Sequence, residues 1–302
     1  MKLVLFGDDF RLGVLKGDRV VDASSVGNDI PHLTPQQMMN GLIADFDKYR
    51  GRLEQLANST QGTPVSQVRL RAPLPRPDRL VCMAVNYMED GTRAEPAPIN
   101  AFNKSSNSVI GSGDTIVLPT AQATVFEHEA ELGIVIGGKA SQIKPEDAYS
   151  HIFGYVNFID VSCRGMGAGS GSFFIGKSWD SFGPMGPALV TADEVPDPLN
   201  LQVRLWVQGE LRQNYNTGDM AHKIPRMLEW ITSVTTLEPG DVIAAGTNHR
   251  GLGPLQDGDL VEMEIDGFGK LVNRVRDDLK RSWPRETRLQ RQEREAAAAA
   301  RS

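Results

Sequence analysis

The run Glu127-His128-Glu129-Ala130-Glu131 sets three carboxylates two residues apart. In an extended strand such residues share a face, so all three would point the same way. Carboxylates held side by side repel one another unless positive charge sits among them. A divalent cation with oxygen ligands supplies that charge, and Mg²⁺, Mn²⁺ or Ca²⁺ all suit carboxylates. A strand face of solvated acids is the other reading, because glutamate is mostly exposed in folded proteins. Two further residues favour the cation. Asp160 falls inside the apolar, aromatic run Gly154-Tyr155-Val156-Asn157-Phe158-Ile159-Asp160-Val161, where a buried acid needs a partner. Lys177, in Gly176-Lys177-Ser178-Trp179-Asp180-Ser181-Phe182, adds an amine among aromatics, and an ammonium beside carboxylates is an arrangement that stabilises an oxyanion.

The elements that must position these groups are mostly strands. Leu132-Gly133-Ile134-Val135-Ile136 is a short apolar run that reads as a buried strand directly after the acids. Similar runs start at Leu80, Ala188, Leu201, Asp241 and Leu260. Upstream, Leu3-Val4-Leu5-Phe6, Arg11-Leu12-Gly13-Val14-Leu15 and Arg19-Val20-Val21-Asp22 are split by Gly/Asp pairs, a hairpin signal. Over 34–56, Met38, Met39, Leu42, Ile43, Phe46 and Leu53 recur at helical spacing, with Thr34 as N-cap and Pro35 at the first helical position. Further helices are expected near 145–149 and 223–231. Strands outnumber helices, so the pattern predicts a β-rich α+β fold with mixed sheets. Pro73, Pro75 and Pro77 punctuate the chain. They divide it into a small N-terminal domain at 1–72 and a catalytic domain at 73–276, followed by a charged tail at 277–302. The tail reads as a surface helix or frayed chain with no chemistry assigned.

A net charge of −6 argues against a nucleic-acid surface. Cys82 and Cys163 are the only cysteines, too few for a disulfide framework or a zinc-finger pattern, and a reducing, cytoplasmic setting is expected. Asp8-Asp9 interrupts the N-terminus before an apolar region of signal-peptide length can form, and no stretch reaches the roughly 18–20 apolar residues of a membrane span.

Taken in order along 80–275, the motifs resemble the fumarylacetoacetate hydrolase family. They are Asn86-Tyr87, the Pro98, Phe102 and Lys104 stretch, Glu129-Ala130-Glu131-Leu132, and Gly154-Tyr155 through Asp160-Val161-Ser162 with Arg164. Gly176-Lys177-Ser178, Leu237-Glu238-Pro239-Gly240-Asp241 leading to Gly246-Thr247, and Asp257-Gly258-Asp259 complete the set. The resemblance implies a rolled mixed β-sheet core behind a small leading domain, and usually a homodimer. It implies Mg²⁺ or Mn²⁺ held by Glu129, Glu131 and Asp160, with Glu127 outside the ligand set and Lys177 beside the metal. Thr247 is expected near the substrate's carboxylate or carbonyl, with Tyr87, Lys104 and Arg164 as further substrate contacts.

Such a cation acts as a Lewis acid on a small oxo-acid or 1,3-dicarbonyl compound and favours an enolate. Hydrolysis also needs a base to activate water. Hydrolytic relatives carry histidine three residues after the tyrosine and glutamate three further on; here Asp90 and Arg93 stand in those places. A second departure is Gly246-Thr247-Asn248-His249-Arg250, where proline commonly follows the threonine. His249 becomes the favoured base, because a histidine's ordinary pKa lies near neutrality, with Asp90 and Glu89 as other candidates and Arg250 as a carboxylate clamp. The segment 91–98 reads as a lid. The leading expectation is C–C bond hydrolysis of an acylpyruvate or related dioxo-acid. Decarboxylation or keto–enol tautomerisation on the same site is the alternative. A binding protein that kept the metal and lost catalysis is a reading of another class.

Overall fold

The computed structural model describes residues 1–166 and 171–300. Its architecture is β-rich, as the pattern predicts. The largest sheet runs, in spatial order, Thr63–Pro64, Arg19–Asp22, Arg11–Lys16, Lys2–Phe6, Gly183–Thr191, Ile152–Ile159, Ala130–Ile136, Val242–Ala244, Leu80–Met83 and Ala101–Asn103. A second sheet orders Glu210–Asn216, Gln202–Val207, Leu260–Ile265, Gly269–Arg276 and Thr115–Val117. A two-stranded ribbon joins Val125–Glu127 to Ser162–Arg164.

Burial follows the sequence pattern. Ala130–Ile136 is buried at every position, which is why its apolar run is unbroken, whereas Leu260–Ile265 alternates and buries one face only. At Gly154 any side chain is excluded, because a Cβ there would lie 2.2 Å from the Val190 carbonyl oxygen on the neighbouring strand. Asn157 ties the two large sheets together. Its amide donates to the carbonyls of Gly186 and Gly269 at 2.9 Å each, and its carbonyl accepts the Ile265 N–H at 3.0 Å.

The N-terminal strands continue the main sheet. Lys2 and Leu3 pair with Val190 and Leu189. Met39, Leu42 and Leu53 from the leading segment share one apolar cluster with Val135, Val156 and Val242. The helical pattern over 34–56 resolves into two helices, Pro35–Ala44 and Phe46–Ser59. Thr34 caps the first through Gln37 N–H, but Asp45 leaves helical geometry, and the bend sets Phe46 edge-on to Phe153 at 4.9 Å. The expected helix near 145–149 is a 3₁₀ turn, Pro145–His151, packed against the helix Ile224–Val234. That helix buries Ile224, Met227, Leu228 and Ile231 on one face.

The tail is docked rather than frayed. Arg281 bonds Asp277 and the carbonyls of Pro119 and Ala121, and Trp283 lies edge-on to Phe126. Thr287 and Gln290 form a capping box on the helix Arg288–Ala299. Among the described residues no helix is long and apolar enough to cross a membrane.

Candidate active site

The acidic run does not remain one strand. Val125–Glu127 pairs with Ser162–Arg164, the chain breaks at His128-Glu129, and Ala130–Ile136 enters the main sheet. Gln213 holds the break. Its carbonyl oxygen accepts from Ala130 N–H at 3.0 Å and from His128 Nδ1 at 2.9 Å. Its amide donates to Thr247 Oγ1 at 2.7 Å and to the Asn248 carbonyl at 3.1 Å. One side chain therefore fixes both the acidic turn and the loop after Thr247. His128 is fully buried, and burial pushes its pKa down to about 4, so it is neutral and structural.

The break separates the three glutamates. Glu127 turns away to Arg164 and Arg288, whereas Glu129 and Glu131 converge with Asp160. One oxygen from each of these three lies within 4.8 Å of the others, and all three residues are buried. Lys177 Nζ sits 2.7 Å from Glu129 Oε2 and 2.6 Å from Asp160 Oδ2. Lys104 Nζ holds Asp160 Oδ1 at 2.7 Å and also bonds the Lys177 carbonyl. Arg164 bonds both Glu129 and Glu127, and Ser162 Oγ donates to Glu129 at 2.9 Å. Burial opposes ionisation of Glu129, but Lys177 and Arg164 outweigh it and hold the carboxyl far below the usual range. Burial likewise opposes the Lys177 ammonium, and Asp160 and Glu129 outweigh it.

Glu131 is the exception. Its Oε2 accepts the Gly246 N–H at 2.9 Å, and among the described residues no cation pairs with it. Burial, then repulsion from Asp160 and Glu129, pushes its carboxyl well up. Gly246 can make that bond because it sits at φ +89°, and a Cβ would lie 2.9 Å from Asn86. Three converging carboxylates, one of them lacking a counter-charge, fit a divalent cation with hard oxygen ligands.

The other expected residues fall into two groups. Lys104 and Tyr87 are closed off. The Lys104 side chain has no exposure and its ammonium is taken up by Asp160 and backbone carbonyls, so it supports a carboxylate. Tyr87 is fully buried, edge-on to Tyr215 at 4.9 Å. Thr247 lies beside them, 2% exposed, with Tyr215 Oη 3.4 Å away.

His249, Arg250 and Glu89 instead line a cleft of about 470 Å³, together with Arg93, Arg288 and Gln292. Glu89 grips His249 with both oxygens. Oε2 accepts the backbone N–H at 2.8 Å and Oε1 lies 2.7 Å from Nδ1. With Nδ1–H donating to that carboxylate, Nε2 is left as the basic atom. The ring stands near enough to Glu129 for its cationic form to help keep that carboxylate ionised. Asp90 is half exposed and 3.8 Å from Arg250, so its neighbour Glu89, not Asp90, forms the pair with His249. Glu89 and Asp90 both adopt left-handed φ, at +57° and +56°. Such geometry in non-glycine residues costs energy and concentrates at functional sites. The glycine-rich run 165–171 reads from sequence as a loop at the site mouth, and its residues 167–170 lie outside the described residues. Cys163 is no nucleophile, because burial pushes its thiol up to about 11.

Sequence reasoning missed Gln213, Ser162 and the pairing of Glu89 with His249. Gln213 left one trace: it is a polar residue on the buried face of an alternating strand. Lys177→Met is expected to lower kcat on the order of 10²-fold while changing KM less, because the ammonium serves developing negative charge. Steady-state kinetics at saturating metal decide this, and an unchanged kcat would remove Lys177 from the chemistry.

Residues 79–276 match the family described as fumarylacetoacetate (FAA) hydrolase, C-terminal. The chain is 37% identical over 254 residues to the oxaloacetate tautomerase YisK of Bacillus subtilis, covering 77% of this chain and 84% of that protein. It is 38% identical over 233 residues to the mitochondrial oxaloacetate tautomerase FAHD2B of Bos taurus, covering 73% of each. Its fold superposes with a TM-score of 0.83 on maleylpyruvate hydrolase from Sphingobium sp. SYK-6 in complex with manganese (II) ion and pyruvate, at 36% identity, covering 92% of this chain and 99% of that one. A match across the whole site-bearing part of the chain, with the carboxylate trio and its lysine in place, makes this protein an enzyme of the fumarylacetoacetate hydrolase family.

Proposed function

We propose that this enzyme catalyses keto–enol tautomerisation of a small 2-oxo acid of the oxaloacetate type, with His249 as the acid–base residue. The observation that carries the reading is the His249–Glu89 pair, which leaves one basic nitrogen on the wall of a cleft, with the ring close enough to Glu129 to act on its charge. Glu129, Glu131 and Asp160 would hold Mg²⁺ or Mn²⁺, and a bound divalent cation supplies Lewis-acid polarisation of a carbonyl. His249 Nε2 takes a proton from the carbon beside the keto group, and the C–H electron pair becomes the C=C bond of the enol. The carbonyl π pair passes to oxygen, which gains a proton from solvent, and the imidazolium returns its own proton to solvent, so that no net proton is taken up. The reverse sequence returns the keto form. Glu89 keeps the imidazole in the tautomer this needs and stabilises it once protonated, the division of labour seen wherever a carboxylate orients a catalytic histidine. Similarity to two oxaloacetate tautomerases supports the choice of reaction.

C–C hydrolysis of an acylpyruvate is the second reading. The cleft, at about 470 Å³, exceeds what a four-carbon acid fills, and the same histidine can activate water. Enol-rich oxaloacetate separates the two. Loss of enol absorbance should accelerate with Mg²⁺ or Mn²⁺ and return to the spontaneous rate in EDTA, with little pyruvate released from maleylpyruvate or simple acylpyruvates. Pyruvate release without accelerated tautomerisation would install the hydrolase reading instead. Failure of both would defeat the proposal.

A further inference from the structure

The cleft beside His249 carries more positive charge than its own carboxylates use. Arg288, which lines it, is spent on Glu127. Arg250 is held loosely, with Nη1 3.3 Å from the Glu89 carbonyl and 3.8 Å from Asp90. Arg93 differs from all of these. It lines the cleft, its Nε is buried without a hydrogen-bond partner, and among the described residues no carboxylate pairs with it. Its backbone is fixed, since Arg93 N–H donates to the Met88 carbonyl at 3.1 Å. A buried guanidinium N–H with no acceptor costs stability, while the rest of this half-buried head stays open to the cleft and to an anionic ligand. The planar fork of arginine matches the two oxygens of a carboxylate.

We infer that Arg93, assisted by Arg250, binds the distal carboxylate of a dicarboxylic 2-oxo acid whose keto end faces the Glu129, Glu131 and Asp160 cluster. This rests on the reading that the cleft is the oxo-acid site. It also gives Arg93 a positive role where comparison of motifs recorded only a missing glutamate. Arg288, Leu289 and Gln292 of the C-terminal helix line the same cleft and lie beyond the 79–276 family match. A substrate longer at its distal end would meet that helix, so the site selects for a second carboxylate at limited reach.

Binding calorimetry in Mg²⁺ tests this without depending on turnover. The probes are 2-oxoglutarate, a diacid, and 2-oxobutanoate, a monoacid of similar size. The wild-type enzyme should prefer the diacid by about 10- to 100-fold, the range for a site built around a charged hydrogen-bonding group. Arg93→Met should erase most of that preference and leave 2-oxobutanoate affinity within about twofold, whereas Arg93→Lys, which keeps the charge but loses the fork, should restore part of it. Thermal unfolding of each variant checks that the fold is retained. If the wild type binds both probes equally, or Arg93→Met keeps the diacid preference, the inference falls while the tautomerase reading stands. If the wild type binds neither probe, the cleft is not an oxo-acid site and both fall together.

Discussion

Chelation with EDTA is expected to stop turnover, and Glu131→Gln to make the loss permanent, each on the order of 10³-fold or more. A Lewis acid supplies several kcal/mol to such a reaction, and about 1.36 kcal/mol is worth tenfold in rate. Glu131 is the carboxylate to change because among the described residues no cation pairs with it, while Glu129 and Asp160 share Lys177. The variant also makes a prediction independent of activity. Without a cation, Glu131 is a buried carboxyl pressed by two others, so Glu131→Gln relieves repulsion and should unfold at a temperature equal to or above that of chelated wild type. Mn²⁺ at a hundredfold excess over Kd should stabilise the wild type by about 2.7 kcal/mol and the variant hardly at all. A wild-type melting temperature that ignores Mn²⁺, with activity surviving EDTA, would refute the metal site.

His249→Ala is expected to reduce turnover by about 10²- to 10⁴-fold, the contribution of a positioned general acid–base group. The Mn²⁺-induced rise in melting temperature should persist, because His249 touches none of the three ligands in the hydrogen-bond network. Glu89→Gln should fall between this variant and the wild type. It keeps the backbone bond to residue 249 but loses the charge that fixes the imidazole tautomer and supports its protonated form. Wild-type rates in His249→Ala would disqualify it as the base. A loss of the Mn²⁺ response in the same variant would show that it acts through the metal site instead.

How far the sequence could be read depended on how far apart the interacting residues lie. Ala130–Ile136 was legible because burial on both faces leaves an unbroken apolar run, and the trio was legible because Glu129 and Glu131 adjoin that strand. The even spacing of Glu127, Glu129 and Glu131 pointed to one shared face. The strand breaks at His128-Glu129 because Gln213, more than eighty residues away, takes the Ala130 N–H and the histidine. The pairing of Leu3 with Leu189, which carries the N-terminal strands into the main sheet, has no local signature. Nor does the union of Glu89 and His249, with a separation of 160 residues. On the reading proposed above, the missing His–Glu motif around Tyr87 is answered by a glutamate from the same loop and a histidine from a distant one. The tail looked uncommitted because its anchors, Glu127 and Leu252, lie far upstream.

The docking of Arg288 on Glu127 has a consequence for how this scaffold can diverge. The acids hang from buried sheet strands and the turns beside them, and the lysine ends the short helix Phe173–Lys177, where a change disturbs packing on several sides. The cleft wall that, on the reading proposed above, would meet the far end of a substrate is assembled from surface segments around residues 93, 250 and 288–292. Those segments can drift while the reacting end stays constant. On that reading two proteins sharing every residue of the trio part company in substrate through the segments around residues 93 and 250 and the last helix alone, and exchanging only the C-terminal segment between them is a short route to a new selectivity.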